Sequence, residues 1–220
     1  MSSFAENVTA ITAKIRQAAD YAGQPIPSPK LIAVSKRQEA AQIDEAIAAG
    51  HRVFGENRIQ EAQIHWQSRR DVEGLELHLI GSLQSNKAKD AVALFDVIQT
   101  VDRKKLAKKL AEEMKQQRRQ LAIFIQVNTG DEPQKGGVGL DDLHDLVEYC
   151  RTVGMPPIGL MCIPPLGDDP ALHFALLKKL AIRHGLEGLS MGMSSDFDIA
   201  AIMGASHIRV GTALFGKRDD

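Results

Sequence analysis

The sequence predicts an α/β fold, a closed (β/α)8 barrel of the TIM type with an extra N-terminal helix. Three observations carry that expectation. Short apolar, β-prone runs alternate with stretches of helical periodicity along nearly the whole chain. Eight strand runs can be counted, each followed by a helix, and repeated βα units imply a parallel sheet. The length, 220 residues, falls within the usual size of one such barrel. An open doubly wound sheet is the alternative topology. A single domain over residues 1–220 is expected, because no linker or low-complexity segment interrupts the alternation.

Residues 3–22 read as the extra helix. Phe4, Val8, Ile11, Ile15, Ala18 and Ala22 form one apolar stripe at helical spacing. Ser3 with Glu6 makes a capping box, and Gly23 follows the last turn. Pro25, Pro27 and Pro29 then impose an extended connector. Strands are expected at 31–35, 52–54, 77–80, 96–100, 121–127, 156–161, 187–190 and 207–210. The helices between them are expected at 39–49, 57–70, 85–94, 103–118, 140–153, 170–184 and 194–203, with a short one from Thr212.

Composition narrows the function. The chain is 44% hydrophobic and 25% charged, ordinary for a globular protein with a full core. A net charge of −1 gives no bulk attraction to nucleic acid or membrane, and neither partner is expected. No apolar run is long enough to span a bilayer. Glu6, Lys14, Arg16 and Asp20 break up any secretory signal, so the cytoplasm is the expected compartment. Cys150 and Cys162 show neither metal spacing nor a disulfide framework and read as buried thiols. No histidines pair at ligand spacing, so no metal site is expected. The basic run Arg103–Lys109, with Arg118 and Arg119, carries Leu106 and Leu110 at helical spacing. It reads as a solvated helix face rather than a nucleic-acid patch.

In a barrel, the residues after each strand share one rim, and that rim carries the chemistry. The first strand, Leu31-Ile-Ala-Val-Ser35, stops on Lys36. A partly desolvated amine in that place can form a Schiff base with a carbonyl compound. The second strand leads into Phe54-Gly-Glu-Asn-Arg58, and the third into Gly81-Ser-Leu-Gln-Ser-Asn-Lys87. The last two strand ends, Ser190-Met-Gly-Met-Ser194 and Arg209-Val-Gly-Thr212, each put small residues just before a helix. Barrels often hold phosphate on these two loops, with a helix N-terminus behind. A lysine facing a phosphate cradle suggests either pyridoxal 5′-phosphate or a sugar phosphate bound as a Schiff base. Arg209 can point inward at a bound ring or serve as a structural ion pair. Met191 and Met193, set among those serines, read as pocket lining. His78 is read as a histidine satisfied within the barrel. Glu132-Pro-Gln-Lys-Gly-Gly137 reads as a mobile lid or a turn-rich connection, and its Lys135 as a phosphate contact or as none.

These motifs resemble the pyridoxal phosphate homeostasis protein family, which is similar to the barrel domain of alanine racemase without that enzyme's second domain. The resemblance runs from about Leu31 to Lys217. It rests on Ala33-Val-Ser-Lys36, Phe54-Gly-Glu-Asn-Arg58, His78-Leu-Ile-Gly81 with Leu83-Gln-Ser-Asn-Lys87, and Glu132-Pro-Gln-Lys135. Gly159-Leu-Met161, Leu189-Ser-Met-Gly-Met-Ser194 with Asp196, and Arg209-Val-Gly-Thr212 with Phe215-Gly216 complete it. It implies pyridoxal 5′-phosphate as the cofactor, with Lys36 as the aldimine lysine and Asn57 lining the pocket. It further implies Ser194, Gly211 and Thr212 on the phosphate, Arg209 on the pyridine nitrogen and Met161 near the ring. One departure is Arg37-Gln38-Glu39, where the family commonly has a Thr-Lys-Pro type sequence.

The implied role is to hold pyridoxal 5′-phosphate and buffer or deliver it, as a monomer meeting apo enzymes transiently, without robust catalysis. Two features of the residues agree. An arginine on the pyridine nitrogen keeps that atom unprotonated. The related racemase uses a tyrosine as its second acid-base group, whereas Tyr21 and Tyr149 here both fall in predicted helices. A pyridoxal-phosphate enzyme acting on small amino acids and a class I aldolase-like enzyme are the rival classes.

Overall fold

Eight strands build the centre of the molecule: β1 (Lys30–Val34), β2 (Val53–Glu56), β3 (Glu76–Leu79), β4 (Val97–Val101), β5 (Ala122–Gln126), β6 (Gly159–Met161), β7 (Gly188–Ser190) and β8 (His207–Val210). They pair in parallel and in chain order, and β8 returns to β1, so the sheet closes. The closed barrel is therefore the topology, not the open sheet. The computed structural model describes residues 3–22 and 28–216. Gly23, Pro25, Pro27 and Lys217 lie outside the described residues.

Around the strands run α1 (Phe4–Ala22), α2 (Ala40–Ala48), α3 (Ile59–Trp66), α4 (Ala88–Leu94), α5 (Lys104–Gln117), α6 (Leu143–Thr152), α7 (Pro170–Arg183), α8 (Phe197–Ile202) and α9 (Thr212–Phe215). Ser3 and Glu6 bond reciprocally at the start of α1, the Ser3 N–H to Glu6 Oε2 at 2.8 Å and the Glu6 N–H to Ser3 Oγ at 3.3 Å. The helix packs across α8 and α9. Phe4 tilts against Phe215 at 5.2 Å, and Asn7 Nδ2 donates to the Leu214 carbonyl at 2.7 Å.

Alternation along each strand separates two layers. Phe54 faces outward and packs on Trp66 of α3, ring centroids 4.5 Å apart. Gly55 faces inward against Ile32 and Ile80. The outer layer, between strands and helices, is the large apolar core and includes Leu77, Leu79, Ile98, Leu106 and Leu110. The inner layer is smaller and mixed, with Phe124, Met161 and Val97 beside polar groups.

The helices that follow rim loops start later than their periodicity suggests. Ser85–Lys87 is a 3-10 turn before α4, α6 begins at Leu143, and α8 begins at Phe197. The loop residues are occupied with local bonds instead: the Met193 N–H donates to Asp196 Oδ1 at 2.6 Å. β6 is shorter than expected, because Pro156 and Pro157 have no N–H to offer a neighbouring strand. β2 is longer, carried by the pairs Gly55 with His78 and Glu56 with Leu79.

The inner layer is tight where β6 meets β7. A Cβ on Gly159 would lie 2.3 Å from the Gly188 carbonyl oxygen, an atom of the backbone that cannot yield. Gly188 in turn leaves space for the Phe124 ring, which a Cβ there would meet at 2.8 Å. Gly159→Ala is expected to destabilise the fold by about 2–3 kcal/mol through overpacking. Urea unfolding of the two proteins measures the difference.

Candidate functional site

A cleft of about 220 Å³ opens on the barrel rim formed by the carboxyl ends of the strands. Six of the seven predicted site residues line it: Lys36, Asn57, Ser194, Arg209, Gly211 and Thr212. They come from the ends of β1, β2, β7 and β8, so barrel closure brings together residues up to 176 positions apart (36 and 212).

Lys36 shares the parity of Ile32 and Val34, which places its side chain on the inner side, half-buried. Ser35 faces the other way and is held there. Its Oγ donates to Glu56 Oε1 at 2.7 Å, and its N–H to the Gly55 carbonyl at 3.0 Å. The same carboxylate oxygen is 2.8 Å from His65 Nδ1 and accepts from Trp66 Nε1 at 3.1 Å. Glu56 is fully buried, so this clamp ties the end of β1 to α3 just behind the lysine. Glu61 lies beside it, and Glu56, Glu61 and His65 present polar atoms within 4.8 Å of one another. Glu56 and His65 are bonded to each other, and Glu61 accepts the Arg37 N–H, so the group reads as a clamp rather than a cation site.

The segment after the lysine leaves the strand abruptly. Arg37 is left-handed, with φ of 57°, and the Gln38 N–H returns to the Ser35 carbonyl at 3.1 Å. The Glu39 N–H then donates to Gln42 Oε1 at 3.0 Å at the start of α2. The Arg37-Gln38-Glu39 departure thus makes a tight turn, and it places Gln38 in the cleft wall. Asn57 is positioned by a close backbone approach. A Cβ on Gly81 would meet the Asn57 carbonyl oxygen at 2.2 Å, so only glycine lets the β3 loop lie on this residue.

Arg209 points inward and is only 4% exposed. Its Nη1 donates to Ser190 Oγ at 2.7 Å and its Nη2 to the Cys162 carbonyl at 2.9 Å. Burial pushes its pKa below the ordinary arginine value; among the described residues no carboxylate bonds to it. Burial also drives the Cys162 thiol up to about 12, so it stays a neutral thiol. Both cysteines are free and buried.

The two loops behind the cleft offer small donors. Ser194 and Thr212 are exposed to the cleft, and Gly211 lies between β8 and α9. The helices behind them are short, six residues in α8 and four in α9, so the hydroxyls and loop N–H groups are the donors rather than a long helix dipole.

The remaining residues fall in several places. Met161 lies in the barrel interior against Val97 and Phe124 and is absent from the cleft lining. Met193 lines the cleft, but Met191 does not: it is fully buried in the outer core. Strand alternation explains the correction, because Met191 continues the outward parity of Leu189. Lys135 pairs with Glu132 at 2.5 Å and donates to the Pro164 carbonyl at 3.3 Å. Tyr21 is exposed on α1, and Tyr149 sits on α6 with its ring 6.0 Å from Lys104 Nζ; neither lines the cleft. The basic face of α5 is exposed, with Leu106 and Leu110 buried beneath it. Ile80, Gln38 and Ile163 are cleft residues that the motifs did not single out. Strand parity from His78 would have found Ile80; Gln38 and Ile163 sit in turns that no local pattern resolves.

The fold and its rim site define a class. Residues 7–219 match the family described as "Alanine racemase, N-terminal domain". The solved alanine racemase of Corynebacterium glutamicum shares that fold, with a TM-score of 0.66 at 19% identity over 96% of this chain and 61% of the racemase. Nearer relatives are more particular. The pyridoxal phosphate homeostasis protein of Pseudomonas aeruginosa is 41% identical, over 100% of this chain and 97% of its own length. That of Escherichia coli K12 is 35% identical, over 100% and 98%. PipY of Synechococcus elongatus PCC7942, solved with pyridoxal phosphate bound, is 40% identical with a TM-score of 0.81, over 92% of this chain and 100% of its own. The chain belongs to the pyridoxal phosphate homeostasis protein family. Among the described residues, no helix is long and apolar enough to cross a membrane.

The clamp behind Lys36 makes stability depend on pH. The Glu56 carboxylate raises the pKa of His65 above its ordinary value, outweighing burial. A raised pKa means that the folded state binds the His65 proton more tightly than the unfolded chain. This contribution is therefore complete below the ordinary histidine pKa and disappears as pH rises through the raised one. The wild-type protein is expected to lose unfolding free energy across that interval relative to His65→Asn. Urea titrations of both proteins at pH 6 and pH 9 check the sign.

Proposed function

We propose that this protein binds pyridoxal 5′-phosphate at the rim cleft, covalently through Lys36, and buffers the cofactor for delivery to apo enzymes. The observation that carries the reading is the single cleft that joins an amine, a buried guanidinium and a cradle of small donors. The donor set suits this cofactor part by part: an amine for an aldehyde, a guanidinium for a ring nitrogen, and hydroxyls for a phosphate. The bound cofactor in PipY and the shared name of the curated relatives support it.

When bound, pyridoxal 5′-phosphate supplies an aldehyde for attachment and an electron-withdrawing ring. Lys36 would supply the amine to which that aldehyde attaches. Ser194 and Thr212 give hydroxyls to the phosphate, and Gly211 gives a backbone N–H that no side chain obstructs. Asn57 walls the cleft. Met161, in register with Ser190, would lie inside the barrel beneath the ring rather than in the cleft wall. Arg209, with only N–H groups to offer, would donate to the ring nitrogen and so leave it without a proton. An unprotonated pyridine is a weak electron sink, which suits a carrier better than an enzyme. The chain acts as one binding domain, a cytoplasmic monomer with transient contacts to apo enzymes.

Borohydride reduction of the loaded protein followed by peptide mass mapping tests the attachment. A pyridoxyl group is expected on Lys36, and Lys36→Ala is expected to lose the visible absorbance band while keeping its fold. A protein with no visible band that instead traps a sugar phosphate would replace this reading by the aldolase one. Thr212→Val is expected to weaken binding by about 1–3 kcal/mol, the scale of a hydrogen bond to a charged group. Titration with pyridoxal as control reads this out, because pyridoxal should be indifferent to the change. Racemisation or transamination of amino acids at about 1 s⁻¹ or faster would contradict the carrier role.

A further inference from the structure

Beneath the cleft floor, the barrel interior holds an unbroken chain of hydrogen bonds that cofactor binding leaves unexplained. Ser190 Oγ, which accepts from Arg209, lies 2.6 Å from Gln99 Oε1. Gln99 Nε2 lies 2.8 Å from His78 Nδ1, and His78 Nε2 lies 2.5 Å from Glu76 Oε1. Lys30 Nζ closes the chain with 2.9 Å contacts to both Glu76 oxygens. Lys30 and Glu76 are the first residues of β1 and β3, so the chain runs from the site at one mouth of the barrel to the opposite mouth. Ser190, Gln99 and His78 are fully buried.

The chain has one possible direction. A guanidinium only donates, so Ser190 Oγ accepts from it and spends its single hydrogen on Gln99 Oε1. The Gln99 amide must then turn its NH2 to His78 Nδ1, which can carry no proton. The His78 proton therefore sits on Nε2 and goes to the Glu76 carboxylate. Burial lowers the His78 pKa against the pull of Glu76, in keeping with a neutral ring. From Arg209 to Glu76 each bond points away from the guanidinium, and Lys30 donates to the same carboxylate from the far end. A serine hydroxyl alone would rotate freely between donating and accepting. Gln99 removes that freedom and keeps the Ser190 lone pairs turned to the guanidinium. A buried glutamine within Val97–Val101 is costly without such bonds.

We infer that Gln99 and His78 are positioning residues for Arg209, fixing its guanidinium on the cleft floor and so its contact with the cofactor's ring nitrogen. The ring contact rests on the functional reading above; the hold on Arg209 does not. Two measurements separate them. Side-chain 15N NMR of the wild-type protein, without added cofactor, is expected to find His78 as the neutral Nε2–H tautomer; an Nδ1–H tautomer or an imidazolium would overturn the chain. In the loaded protein, Gln99→Leu and Ser190→Ala are each expected to move the pyridine 15N resonance of labelled pyridoxal 5′-phosphate. They are also expected to weaken binding about five- to tenfold. Thr212→Val, which acts on the phosphate, should weaken binding without moving that resonance. Unchanged resonance and affinity in Gln99→Leu and Ser190→Ala would overturn the positioning role. A wild-type protein that takes up no pyridoxal 5′-phosphate would overturn the functional reading and the ring contact, while the His78 tautomer would still decide the hold on Arg209.

Discussion

The constraint that orders this molecule is a guanidinium buried inside a parallel barrel. A desolvated cation must be bonded on the spot, because removing one partner leaves a charge that nothing compensates. Arg209 meets that demand with a hydroxyl and a carbonyl rather than a carboxylate. The demand spreads outward from there. β7 must present Ser190 to the interior, and β6 must end so that the Cys162 carbonyl turns to the guanidinium while its N–H binds the Ser190 carbonyl at 3.2 Å. In the same inner layer Gly188 leaves space for Phe124, and Gly159 lets the backbones of β6 and β7 approach.

On the other side of the strands, a second buried charge does comparable work. Glu56 gathers Ser35, His65 and Trp66 on one oxygen, linking β1, β2 and α3. The lysine one residue beyond Ser35 inherits its direction from this clamp. The site therefore depends on two polar anchors in two different layers, Arg209 within the barrel and Glu56 outside it. Both sit at strand ends, where the apolar layers thin out and polar groups find partners.

The racemase comparison shows a shared barrel at low identity, and a barrel by itself does not choose a chemistry. The choice lies with the rim. Here the cleft wall brings together an amine, a guanidinium, hydroxyls and a few apolar side chains, while both tyrosines lie on helices away from it. That inventory and the two relatives at 35–41% identity support the proposed carrier role.

The alternation of strands and helices and the strand-end positions of Lys36, Asn57, Ser194, Arg209, Gly211 and Thr212 were determined by the sequence alone, whereas closure of the sheet was decided by the structure. The former are local properties: periodicity marks each element, and the residue after a strand reaches the rim whatever its neighbours do. Element boundaries were less legible, since Pro156 and Pro157 shorten β6 and loop bonds such as Met193 to Asp196 delay α8. Facing was decided only by the tertiary structure. Met191 and Met193 look equivalent in the sequence, yet Met191 keeps the outward parity of Leu189 while the left-handed Gly192, with φ of 90°, breaks the pleat before Met193 reaches the cleft. Gln99 is an isolated polar residue in an apolar run until β3 and β7 bring His78 and Ser190 to its two ends, 21 and 91 residues away. Such bonds join chain segments that only barrel closure places side by side, so no reading of one segment contains them.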